Sequence, residues 1–147
     1  MPIVVQPPVV TTLVVLSAWC VHSLLGSWPT IVQLPVVGSG LVVLGFSIMM
    51  WARMLFTARN TTLFVGRQSS PLVCDGPFRV SRNPMYVGVI VFLVGLAVLV
   101  GTWPFYMAAP ATFLFLNFFH IPHEERMLHE QFGEQYRLYS NEVRRWL

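Results

Sequence analysis

From Met85 to Ile121 the chain runs 37 residues without a formal charge, a protonated His120 aside. A water-exposed surface cannot be built from such a run. A membrane helix, by contrast, needs about 20 mostly apolar residues to cross about 30 Å of hydrocarbon. The run is therefore long enough for two spans. Gly101-Thr102-Trp103-Pro104 divides it, because glycine and proline both interrupt helices. The spans fall at about 85–100 and 104–119, and two further apolar stretches lie at about 8–28 and 35–56. Composition agrees: 10% of residues are charged, against about 25% in a soluble domain. A soluble enzyme, a disordered tail and a disulfide-stapled secreted module are excluded. The expected fold class is all-α. It is a single domain over 1–147, an integral membrane bundle of four transmembrane helices in two tight hairpins, plus a C-terminal amphipathic cytoplasmic helix.

All nine cations are arginine. Arg53, Arg59, Arg67, Arg79 and Arg82 form one group, and Arg126, Arg137, Arg144 and Arg145 another. The short connections 26–34 and 101–104 carry none. Positive charge marks the cytoplasmic side, so the loop 57–84 and the tail 122–147 are expected there, with both termini. The first span lacks a basic leader and a small-residue cleavage site, so it reads as retained. An arginine-only basic set and compact size point to a bacterial inner membrane. Two juxtamembrane clusters argue for membrane lipids and an anionic ligand as partners, and against nucleic acid. Cys20 and Cys74 are isolated thiols that make no redox or metal motif.

Any chemistry is therefore expected in the loop and tail. In the tail, Glu125, Leu128, Phe132, Tyr136, Tyr139, Val143 and Trp146 recur at helical steps. Such a helix lies on the bilayer or folds over the bundle. Asn83-Pro84 forces Asn83 out of helical geometry just before the third span, which gathers Arg79, Arg82, Asn83 and Tyr86 at its cytoplasmic end. These side chains either anchor the boundary or grip a carboxylate. Pro122 suits a first helical turn, so Glu124 and Glu125 either favour the helix dipole or await a cationic partner. His120, His123 and His129 match no standard zinc spacing, and no metal is expected. His22 reads as a packed, hydrogen-bonded side chain, while Arg53 and Arg59 reach back to the interface.

Gly76-Pro77-Phe78-Arg79, Arg82-Asn83-Pro84-Met85-Tyr86 with Gly88, Glu124-Glu125, and Phe132-Gly133 with Tyr136, Tyr139, Val143 and Arg144 together resemble the isoprenylcysteine carboxyl methyltransferase family. Phospholipid N-methyltransferases resemble it more distantly. The likeness covers about 72–147; the first two spans match in hydropathy alone. It implies an integral-membrane methyltransferase using S-adenosylmethionine at the cytoplasmic mouth of the bundle. On that likeness Arg82, Asn83, Tyr86, Glu124 and Glu125 hold the cofactor, with Leu72 and Val73 as backbone partners of the adenine. The cofactor's carboxylate, ammonium and ribose hydroxyls suit arginine or asparagine, glutamate and tyrosine respectively.

One position departs from the family. Eukaryotic members carry histidine where this chain has Asn83, and asparagine cannot exchange a proton near neutral pH. A carboxylate or thiolate acceptor needs only alignment in a dry site. An amine or alcohol acceptor must lose a proton, with Glu124 or Glu125 as the candidate catalytic groups. The acceptor is expected to be small or lipidic. Arg144 or Arg145 either binds its anionic headgroup or anchors the tail to anionic lipid. Two other readings stand beside this one: a membrane reductase using NADPH, and a non-catalytic membrane partner protein.

Overall fold

The computed structural model describes residues 7–24, 29–58 and 72–147. Among the described residues every regular element is helical, as the composition and periodicity predict. Helix α1 spans Pro7–Leu24 and α2 spans Pro35–Ala58. A 3₁₀ turn covers Gly76–Arg79, and α3 covers Pro84–Val100. Helix α4, Trp103–Phe115, runs through a π-helical turn, Leu116–His120, into α5, Ile121–Phe132. Helix α6 is Glu134–Glu142. By length and apolar character α2 alone of these is long enough to cross a membrane, over Pro35–Leu55; Val9–Leu24 and Pro84–Val100 are apolar but shorter. Large apolar side chains point outward, among them Leu13, Leu16 and Trp19 on α1 and Val43, Leu44 and Phe46 on α2.

Helices α2 and α3 pack along their length because glycines recur every seven residues on both. Gly38 and Gly45 face Gly88 and Gly95. A Cβ at Gly45 would lie 2.4 Å from the Phe92 backbone nitrogen and 2.6 Å from the Gly88 carbonyl oxygen. With no side chain in the way, backbone meets backbone. The expected break between the third and fourth spans is present. Gly101 ends α3 at φ 80°, a left-handed conformation suited to glycine, and Thr102 precedes α4. Residues 31–34 close the end of α3: the Ile31 and Leu34 amides donate to the Gly101 and Val98 carbonyls, and Gln33 Nε2 to that of Leu99.

Three expectations are corrected. First, α1 packs mainly against α4 and does not close a tight hairpin with α2; small residues let it do so, Ala18 being buried against Ala97 and Phe105. At the same contact His22 Nδ1 lies 3.1 Å from Thr102 Oγ1, the packed and bonded histidine expected. Second, the fourth helix does not stop at residue 119 but continues unbroken from Trp103 to Phe132. The π turn makes this possible, its five-residue bond running from the Ile121 amide to the Leu116 carbonyl just before Pro122. Third, the tail is two helices and an extended end. Gly133, at φ 51° and ψ −119°, separates α5 from α6, and Val143 is extended. The loop residues 59–71, Arg59 and Arg67 among them, and the connection 25–28 lie outside the described residues.

Candidate functional site

The extended end folds back along the entrance to α3. Pro84 starts α3, and Asn83 before it is non-helical at φ −130° and ψ 52°. The backbone of 81–83 is thereby free to pair with 144–145. The Arg82 amide donates to the Arg144 carbonyl at 2.9 Å. Asn83 Nδ2 and Ser81 Oγ both donate to the Arg145 carbonyl, at 3.0 and 3.3 Å. Trp146 Nε1 donates to Asn117 Oδ1 at 3.0 Å, and its ring lies 4.9 Å from that of Phe113. Residues 144–146 are thus stitched to α3 and α4 together.

This fold-back brings five of the sequence-predicted site residues into one cluster, with Arg145 as a sixth. Arg82 Nη1 is 3.0 Å from Glu125 Oε1. Arg145 grips the same carboxylate with both arms, Nε to Oε1 at 3.2 Å and Nη2 to Oε2 at 2.5 Å. Arg82 also donates to the Tyr136 hydroxyl at 3.3 Å, while its buried Nε has no partner among the described residues. One turn of backbone away, Tyr86 donates to both oxygens of Glu124, at 2.8 and 2.9 Å. His120 Nε2 lies 3.2 Å from Glu124 Oε1. Adjacent glutamates therefore have different company: Glu125 sits between two guanidiniums, Glu124 between a phenol and an imidazole.

Tyrosines of α6 wall the cluster. Tyr136 is 1% exposed, with its ring 4.8 Å and edge-on from His129. Burial pushes its hydroxyl above the ordinary phenol range, as does the Glu125 carboxylate, with Arg82 and Arg145 opposing. Tyr139 donates to the Phe78 carbonyl at 2.7 Å, and its hydroxyl is also raised by burial. Leu72 and Val73 lie in irregular chain before the 3₁₀ turn, the Val73 side chain packed with Ala52 and Phe78. Arg144 is exposed, and Arg79 pairs at 3.7 Å with Asp75. Burial, with Asp75 and Glu142, raises the Cys74 thiol.

Sequence reasoning weighed His120 only as a metal ligand and missed its place beside Glu124; the four-residue spacing of the two on a helix was the available signal. Ser81, Asn117 and Trp146 carried no such signal. Among the described residues no group of three or more histidine, cysteine or acidic side chains is placed to hold a metal.

The donor set fits the zwitterionic end of S-adenosylmethionine. Two guanidiniums against one carboxylate leave an excess positive charge and an unpartnered Nε for an anionic group, and two glutamates are at hand for a cationic one. Residues 34–135 match the family model of phospholipid methyltransferases. A protein of Haemophilus influenzae described as uncharacterized is 33% identical over 63 residues, which are 43% of this chain and all of that protein. No solved structure matches.

Proposed function

The chain belongs to the phospholipid methyltransferase family, which includes isoprenylcysteine carboxyl methyltransferase-like members, and on that premise we propose that it transfers a methyl group from S-adenosylmethionine to a small or lipidic acceptor at the cytoplasmic face of a membrane. The observation that carries this reading is the convergence of Arg82, Asn83, Tyr86, Glu124, Glu125 and Arg145 at one mouth of the bundle. A membrane methyltransferase is what the family supports; the cofactor and the acceptor's character are the proposal.

When bound, S-adenosylmethionine supplies an electrophilic methyl on a sulfonium. Arg82, through its free Nε, and Arg145 would hold the cofactor's carboxylate. Glu125 would take its ammonium; Asn83 and Tyr86 would line the ribose side, with the backbone of Leu72 and Val73 for the adenine. Buried Tyr136 shields the Arg82 side of the cluster, which strengthens the charge-assisted bonds there. Arg144, exposed on the fold-back, would take an anionic headgroup.

We further propose four spans, built on α1, α2, α3 and the α4 end of the long helix. Both termini and the arginine clusters then face the cytoplasm of a bacterial inner membrane. Outward apolar side chains on α1, α2 and α4 support this. Membranes containing the wild-type protein, given methyl-labelled S-adenosylmethionine, should incorporate label into extracted lipid or small molecules, and those containing folded Arg82→Gln should not. Equal incorporation by both would refute the assignment.

A further inference from the structure

Resting on the methyl-transfer reading, we propose that the adjacent glutamates divide the work. Glu125 serves the cofactor end of the site beside the guanidiniums, while Glu124, positioned by His120 and Tyr86, receives the proton of an acceptor whose attacking atom arrives carrying one. Glu125 accepts from Arg82 and twice from Arg145, so both its oxygens are occupied by charged donors. Protonating it would set two guanidiniums beside an uncharged acid. Among the described residues Glu124 has no guanidinium partner. Its donors are a phenol and an imidazole, whose bonds persist whether it is a carboxylate or an acid. Its side chain is also the more open of the two, 25% exposed against 16%.

His120 is the unexpected member. The π turn directs it inward, 6% exposed, while its neighbours Phe118 and Phe119 are 64% and 72% exposed. Its ring lies edge-on to Tyr86 at 5.7 Å and parallel to Phe115 at 6.4 Å. An imidazole between two aromatic rings sacrifices solvation that a leucine or phenylalanine would not, and recovers part of it in the bond to Glu124. π turns concentrate at functional sites. With Glu124 ionised, the bond assigns the proton to Nε2, so two fixed donors hold the carboxylate in one orientation.

In the step so supported, the acceptor's attacking atom gives its proton to a Glu124 oxygen. Its lone pair forms the bond to the methyl carbon, and the pair of the broken carbon–sulfur bond stays with sulfur. Glu124 ends as a carboxylic acid held by the same two partners and returns the proton to water. The charged groups beside this dyad are Glu125 on the same helix and, paired with it from outside that helix, Arg82 and Arg145.

The test uses detergent-purified full chain with S-adenosylmethionine and vesicles bearing amine, hydroxyl or carboxylate lipids as acceptors. Wild type should turn over an amine or hydroxyl lipid. His120→Phe, which keeps the ring packing, should lower kcat about 10–100-fold with KM and cofactor Kd within about threefold of wild type. The acidic limb of the rate profile should move to higher pH, because a donor to the carboxylate is gone. Tyr86→Phe should move it the same way, and His120→Gln, which retains a donor, should recover part of the rate. Turnover confined to carboxylate lipids, or none with any lipid despite cofactor binding, overturns the inference; so does an unchanged limb in both phenylalanine variants. Failure of wild type to bind the cofactor at all overturns the methyl-transfer reading itself.

Discussion

Replacing Glu125 with glutamine removes the one negative charge between Arg82 and Arg145. The contacts are 3.0 Å to Arg82 and 2.5 Å to Arg145, and the side chains of Arg82, Glu125 and Arg145 are 16%, 16% and 35% exposed. At an effective dielectric of about 20, unit charges about 4 Å apart attract by about 4 kcal/mol. Leaving a buried charge without its partner costs about 3–5 kcal/mol. Arg145 is open enough to find water and Arg82 is not, so the net loss should be about 2–4 kcal/mol. For a chain of this size that corresponds to a fall of roughly 4–16 °C in the unfolding midpoint. Heating detergent-solubilised protein at one fixed rate, followed by helical circular dichroism, would read it. Arg145→Gln should cost less, since Arg82 keeps Glu125. Glu134→Gln, which breaks the exposed pair with Arg137, should leave the midpoint where it is. If Glu125→Gln melted with wild type, or Arg145→Gln melted lower than it, the charge cluster would not hold the tail as described.

Gly45→Leu should separate α2 from α3, since its Cβ meets the Phe92 backbone at 2.4 Å; a loss of about 3 kcal/mol or more is expected, and a wild-type melt would deny the close packing. Gly133→Ala meets no neighbour within 4 Å, yet sits at φ 51°; backbone strain should cost about 1–3 kcal/mol, seen as a lower midpoint without lost binding, and no change would remove the reason given for the α5–α6 break. Tyr139 is raised above its ordinary value of 10.0, chiefly by burial, so its contribution is intact below about pH 10 and is lost as pH rises further. Melts from pH 7 to 11 should show an alkaline loss that Tyr139→Phe reduces, and an equal loss in both proteins would contradict it.

The parts of the fold that follow from short-range rules were legible in the sequence. Gly101 and Pro104 mark a helix break by backbone chemistry alone, and Asn83-Pro84 fixes the start of α3. The ordered motifs named Arg82, Asn83, Tyr86, Glu124 and Glu125 before their geometry was known. What stayed hidden depends on long-range placement. A tail with unbroken helical periodicity reads as one helix, but Gly133 and the extended end turn that stripe into a fold-back, with Tyr136 and Tyr139 still facing inward. A proline normally ends a helix, so Pro122 concealed the continuous α4–α5; only the preceding π turn reconciles the two. The Arg145–Glu125 grip and the Trp146–Asn117 bond join residues 20 and 29 positions apart. No local pattern encodes them.

Whether this cluster is a cofactor site is decided by calorimetric titration of the purified protein in detergent with S-adenosylmethionine and, separately, its demethylated product. Saturable micromolar binding (about −8 kcal/mol at 1 μM) is expected, lost in Arg82→Gln when that variant is shown to be folded. Absence of binding to folded, monodisperse wild type, or binding that survives the loss of Arg82, would contradict the cofactor assignment.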